Sequence, residues 1–398
     1  MLIKQKGKEN FMRIKELFDA VESKIIEDRR WFHRHPEVSL QEKMTSEQIC
    51  KRLEEMGIAY EMLPPNYGIV ATIEGKTPGK TLALRADIDA LPVTEDTGLP
   101  FASEHEGKMH ACGHDAHAAM LLGAAKVLNE VKDEFTGTLK LVFQVAEETG
   151  DGYQEVLDYF EKIGGVDGVA GVHIWSAIPE GQMLLYPGAV FAGAQGYIAT
   201  IEGRGGHGAR PDLTHDPIKA ACDLALKFSS IPSNFYDVLD YSVVNVGVVE
   251  AGTLGNIIPG QATLKGGMRF YKDGGGDKIV EIMERMAKGV DIVNNVKTTI
   301  EILGGVPPII NNIPMVEEAK EVLDDMDGLR IADQKEAICA SDNYGYFLQA
   351  YPGLYAILGG GKPGEEMYPQ HHAKFDVDEK SFRKGAEFMA RYAMHFLK

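Results

Sequence analysis

A cysteine and a histidine two residues apart, Cys112 and His114, stand just ahead of a helix-forming stretch. A thiolate beside an imidazole is a donor pair suited to zinc. Further polar groups follow apolar runs of strand length. Asp87 and Asp89 come after residues 81–85, Glu147 and Glu148 after 139–143, and His173 after 169–172. His371 and His372 follow the run at 354–358 and a Gly-rich turn. Singly, each has a plainer explanation. An Asp-x-Asp at a strand end commonly caps a turn or helix, paired glutamates are commonly solvated, and a His ending an apolar strand is commonly a hydrogen-bonded core residue. Together they point to a metal site, because ligands of open α/β sheets bind outside the carboxyl ends of the strands.

The elements that must position these groups alternate between strand and helix. Ile14, Leu17, Phe18, Val21 and Ile25 recur at helical spacing and predict a first helix. A second is expected near 42–56, then strands near 68–73, 81–85, 139–143 and 169–172, with helices near 116–131 and 153–163. Residues 1–11 read as a polar extension, with Met12 a second conceivable start. From about residue 190 the order becomes strand, helix (215–230), two strands (242–250, 261–270), helix (276–290) and strand (296–303). That β-α-β-β-α-β order closes a small sheet on its own. The α/β character then returns, ending in a helix from about 378. The expected organisation is an α/β domain formed by 12–188 and 304–398, with a small domain of 189–303 inserted at a surface loop.

Composition excludes several classes. The 398 residues carry a formal net charge of -18, which argues against nucleic acid, since phosphate binding needs clustered Lys and Arg. No apolar run is long enough to span a membrane, and the N-terminus lacks the apolar core of a secretory signal. Four scattered cysteines cannot form a disulfide framework, so a cytoplasmic protein is expected. Gly203-x-Gly205-x-x-Gly208 and Gly359-x-Gly361-x-x-Gly364 match a dinucleotide fingerprint in letters. Neither opens a helix, because Pro211 follows the first and Pro363 interrupts the second. A nucleotide site is therefore rejected.

These residues resemble the co-catalytic metallopeptidase family of aminoacylases, glutamate carboxypeptidases and desuccinylases. The likeness is to its amidohydrolase branch, which includes auxin–amino acid conjugate hydrolases and hippurate hydrolases. It is carried by HRHPEVSLQE (33–42), RADIDALPVTE (85–95), MHACGHDAHAAMLLGAA (109–125), VFQVAEE (142–148), GVHIWSAIPEG (171–181), GRGGHGARP (203–211), NIIPG (256–260), GGMRFY (266–271) and HHAKFDVDE (371–379). The resemblance implies a zinc-peptidase-like α/β catalytic domain with an inserted ferredoxin-like (βαββαβ) lid and dimerisation domain, and a homodimer joined through that lid.

It also implies two divalent ions per chain, zinc or manganese. Cys112 would bridge them, with His114 and His173 on one ion and Glu148 and His371 on the other. Asp87 and Asp89 would orient ligands, because the His-x-Asp pair found elsewhere in the family lacks its His here. Glu147 would be the general base, His207 the oxyanion donor, and Asn256 and Arg269 the holders of a substrate carboxylate. The implied activity is hydrolysis of N-acyl-L-amino acids. A dipeptidase or N-acetyl-diaminopimelate-type deacetylase is the alternative within the class, and a catalytically silent binding protein on the same fold is the alternative outside it.

Overall fold

The computed structural model describes residues 2–237 and 239–398, with side chains from residue 12 onward. The chain divides into two compact units. One runs to Gly188 and takes in Asn311–Glu336 and Tyr346–Lys398; the other comprises Ala189–Ile310 and Ala337–Gly345.

The first unit is built on an eight-stranded sheet. Its centre is four neighbouring parallel strands, Thr138–Gln144, Thr81–Asp87, Gly168–Pro179 and Gly353–Gly361. Strands covered on both faces read as continuous apolar runs rather than alternating ones. Gly353–Gly361 is buried along its whole length and Thr81–Asp87 everywhere but its first residue. The helix His114–Glu130 is almost wholly buried. Its run of alanines lets it lie closely against the sheet and against the helices Leu2–Arg34 and Lys380–Phe396. Ile14, Phe18 and Ile25, the expected apolar stripe, are buried in that core.

Three expectations are corrected here. The first helix begins at Leu2, so residues 2–11 continue it rather than forming a separate extension ahead of residue 12. His173 does not follow a strand. Pairing with Gly353–Gly361 carries its strand on to Pro179, and His173 sits opposite Ile357 within it. The boundary expected at 303/304 falls inside the strand Lys297–Val306, so the second unit extends to Ile310 and also recovers Ala337–Gly345.

The second unit contains a four-stranded antiparallel sheet in the order Ser242–Ala251, Gln261–Phe270, Gly193–Glu202, Lys297–Val306. The helices Pro217–Ser229 and Gly275–Asn294 pack on it. In chain order this is β-α-β-β-α-β, with a short ribbon pairing Gly206–His207 with Ile257–Ile258. Its core includes Tyr197, Leu224, Phe228, Leu264 and Met283.

Candidate metal centre and its neighbours

Loops that follow the parallel strands bring Cys112, His114, Glu147, Glu148 and His371 to His173, which lies within the strand Gly168–Pro179. Cys112, His114 and His173 form one group of donor atoms within 4.8 Å of one another, and Cys112, Glu148 and His371 form a second. Cys112 is common to both. His114, Glu147 and Glu148 make a third such group, so both glutamates lie in the cluster.

Local backbone geometry accounts for this convergence. Gly113 has φ +95°, and a Cβ there would meet Ile174 Cγ2 at 2.5 Å. Only glycine tolerates both conditions, and the turn presents its two neighbours, Cys112 and His114, to the same side. Ala146, just before the glutamates, and His371 also lie in the left-handed region, at φ +57° and +67°. Such conformations in non-glycine residues persist only where the surroundings enforce them, and they gather at functional sites. The His371 amide donates to the Ala111 carbonyl at 2.7 Å, tying that loop to the residue before Cys112.

Hydrogen bonds fix the rings. His114 Nδ1 donates to the Asp89 carbonyl at 3.0 Å and faces its Oδ1 at 3.2 Å. Its Nε2 is the ring nitrogen left to face the cluster. That Nε2 lies 3.9 Å from Glu148 Oε1, and both atoms are buried without a hydrogen-bond partner among the described residues. His173 Nδ1 donates to the Ile174 carbonyl at 2.7 Å, and its Nε2 lies 3.6 Å from the Cys112 sulfur. His371 Nε2 is 3.4 Å from Glu148 Oε2.

His114 Nε2 and Glu148 Oε1 are thus two buried donor atoms turned toward the cluster, as ligands of a metal site must be. Imidazole, thiolate and carboxylate donors on shared atoms therefore fit divalent cations. The electrostatics agree. Burial alone would lower the pKa of His114, but the neighbouring Asp87 carboxylate holds it well above the ordinary value. Burial and the Glu148 carboxylate push the Cys112 thiol up. The site attracts positive charge.

Asp87 and Asp89, both expected to orient ligands, do different things. Asp89 Oδ2 accepts the Ser39 hydroxyl at 2.7 Å and the Glu148 amide at 3.0 Å, while its Oδ1 faces His114. It therefore touches both His114 and the backbone of Glu148. Asp87 instead accepts from Arg85 and from His117 Nδ1, each at 2.5 Å. Burial opposes its charge, yet Arg85, His114 and His117 hold it well below the usual carboxylate range.

His117 was not singled out from the sequence, although it lies one helical turn after His114. Asp87, His114 and His117 could also group around an ion. However, the Ile174 amide donates to His117 Nε2 at 2.8 Å, so both nitrogens of this ring are engaged. Its work is to link Asp87 to the strand that carries His173.

The remaining expected residues lie in the second unit. His207 pairs with Ile257, and the Gly208 amide donates to the Asn256 carbonyl at 2.8 Å, so the ribbon sets His207 beside Asn256. The Ala209 amide donates to His207 Nδ1 at 3.1 Å, which puts the neutral ring's proton on Nε2. Both residues are exposed. Arg269 is half-buried on the strand Gln261–Phe270, and its Nη1 donates to the Met268 carbonyl at 3.0 Å.

Comparison with known proteins agrees with this geometry. The profile of Peptidase family M20/M25/M40 matches residues 83–395. The chain belongs to this family. It is a hydrolase of the amidohydrolase type, on the mixed α/β fold of the family's solved members. Thermostable carboxypeptidase 2 of Saccharolobus solfataricus is 34% identical over 389 residues, covering 96% of this chain and 98% of that one. The N-acyl-L-amino acid amidohydrolase of Geobacillus stearothermophilus is 35% identical over 298 residues, 75% of this chain and 80% of that one. A solved Bacillus subtilis relative, YxeP, described as a dinuclear metal-binding peptidase of the M20 family, superposes with a TM-score of 0.84 at 30% identity. That match covers 95% of this chain and 99% of the other. Among the described residues, no helix is long and apolar enough to cross a membrane.

Proposed function

We propose that this M20 hydrolase cleaves N-acyl-L-amino acids to a carboxylic acid and a free amino acid, with two divalent ions per chain, zinc or manganese. The observation that carries the reading is the pair of three-donor groups sharing Cys112, with Glu147 beside them. Cys112, His114 and His173 would hold one ion, and Cys112, Glu148 and His371 the other. Bound there, the ions would polarise the scissile carbonyl and lower the pKa of water.

The remaining chemistry belongs to the protein. Glu147 takes a proton from the attacking water and passes it to the leaving amine nitrogen, a contribution of roughly 10²–10⁴-fold. Asp89 holds the His114 ring and the Glu148 amide in place. His207, with its proton on Nε2, is the donor for the developing oxyanion, and Asn256 and Arg269 receive the substrate carboxylate. Substrate class follows from shared chemistry. A peptide's C-terminal residue and an N-acyl amino acid both present an amide nitrogen on a carbon bearing a carboxylate. The relatives named carboxypeptidase and amidohydrolase therefore act on the same grouping.

The second unit is proposed to pair with its copy in a homodimer. Ser242–Ala251 is an edge strand, and Val243, Val248 and Val249 on it are exposed. Unpaired edges of this kind template pairing. Four free cysteines suit a reducing compartment, and the cytoplasm is the proposed location.

The test is turnover of acetyl-, benzoyl-, fatty acyl- and indoleacetyl-amino acids, with dipeptides alongside, under zinc and manganese. Glu147→Gln should bind metal and substrate normally and lose turnover. Cleavage of dipeptides alone would move the assignment to a dipeptidase. Full metal loading with no turnover on any substrate would leave a binding protein.

A further inference from the structure

Glu42 lies far from the cluster in sequence and ends the segment that precedes the helix Lys43–Glu55. Its side chain is buried, and a buried carboxylate is costly unless it is well used. It does not cap its own helix. That position is filled by Glu37, whose Oε2 accepts the Thr45 amide at 2.8 Å and the Thr45 hydroxyl at 2.9 Å. The Glu42 carboxylate instead reaches across the fold, and Oε1 accepts the amide of Ala146 at 2.8 Å.

Ala146 is the left-handed residue immediately before Glu147, held at φ +57° without the freedom of a glycine. Two residues on, the Glu148 amide donates to Asp89 at 3.0 Å. The peptide 146–148 is thus gripped at both ends by buried carboxylates, one from Glu42 and one from Asp89. Burial and the nearby Asp89 charge push the Glu42 pKa up to about 7. Its bond to the Ala146 amide is therefore fully charge-assisted only above neutrality, while the bond from Glu148 to Asp89 is charge-assisted throughout. Rotating Ala146 out of the left-handed region would swing the Glu147 side chain that follows it.

We propose that Glu42 is a positioning residue for amide hydrolysis, which holds the Ala146 amide and thereby aims Glu147 at its proton. The proposal rests on Glu147 being the base, as argued above, and extends it to a residue that touches neither substrate nor the donor cluster.

Two variants separate this role from ordinary packing. Glu42→Gln keeps an oxygen for the Ala146 amide, whereas Glu42→Met keeps the volume and removes the acceptor. With metal loaded, Glu42→Met should lower kcat about 10–100-fold, the scale of a misplaced catalytic group, with KM and metal content near wild type. Glu42→Gln should keep kcat within about threefold, because one neutral acceptor survives. Hydrogen exchange of the peptide spanning residues 145–152, read by mass spectrometry, gives an activity-independent measure. It should speed up in Glu42→Met and stay protected in Glu42→Gln.

Wild-type protein inactive on every substrate would overturn the hydrolase reading, and the exchange result would still decide whether Glu42 fixes the loop. An active wild type with Glu42→Met equal to it in kcat, or with unchanged exchange, would overturn the role given to Glu42. If Glu42→Met fails to fold, a Glu42→Gln protein that loses kcat while its loop stays protected would do the same.

Discussion

Replacing Asp89 by Asn keeps its shape and tests whether its carboxylate organises the donor cluster. The carboxylate is buried and meets three donors: Ser39 and the Glu148 amide on Oδ2, and His114 Nδ1 on Oδ1. Asparagine offers one oxygen and one NH₂, so it must face a donor with a donor whichever way it turns. The cheaper orientation sets the NH₂ toward His114, because Nδ1 still reaches the Asp89 backbone carbonyl at 3.0 Å. One charge-assisted contact is then lost and the others become neutral. That amounts to about 1.5–3 kcal/mol for the bond to a charged group. The usual loss on altering a residue behind a metal ligand, about 10–100-fold in metal affinity, is of the same size when converted at about 1.4 kcal/mol per tenfold. The assay is competition with a chelator, alongside thermal unfolding of the metal-free protein. Ser39→Ala, which leaves both links to the cluster intact, should change affinity by less than about threefold, since only one neutral-donor contact is removed. Wild-type affinity in Asp89→Asn, or an equal loss in Ser39→Ala, would refute the reasoning.

His33 supplies a pH prediction. Burial and Arg29 would lower its pKa, but hydrogen bonds to Asp115 at 2.7 Å and Glu95 at 3.3 Å outweigh them and raise it above 6.5. A raised folded-state pKa stabilises fully below the unfolded value and is lost as pH rises through the folded one. The stability advantage of wild type over His33→Gln, read as a difference in Tm, should therefore be largest near pH 5.5 and shrink toward pH 9. An advantage that is flat or grows with pH would contradict it. A second prediction concerns the proposed dimer, whose lid would serve the partner's site. Inactive His207→Ala and Glu147→Gln proteins, mixed after gentle dissociation, should regain up to about a quarter of wild-type activity by random pairing on a two-fold dimer. Hybrids that form without recovering activity would place His207 in its own subunit's reaction.

Much of this site was legible because its chemistry sits where apolar runs stop. Cys112, His114 and the two glutamates are read from types and spacing alone, and the parallel strands behind them follow from continuous hydrophobicity. Separating Glu147 from Glu148 rests on the resemblance, since both glutamates lie in the cluster. What was hidden depends on contacts between distant segments. Glu42 reads as the polar start of a helix until Ala146 is beside it, and His117 as one more residue of a buried helix until Asp87 and Ile174 engage its nitrogens. The extension of the strand past His173 comes from its pairing with Gly353–Gly361, which no local pattern announces. The return of Ala337–Gly345 to the second unit is equally nonlocal.

Anomalous diffraction from crystals of the metal-loaded protein tests the central claim most directly. Two ions per chain are predicted, one among Cys112, His114 and His173 and the other among Cys112, Glu148 and His371, with the Cys112 sulfur touching both. A single ion held by Asp87, His114 and His117, or a pair that leaves Cys112 unbound, would contradict the account.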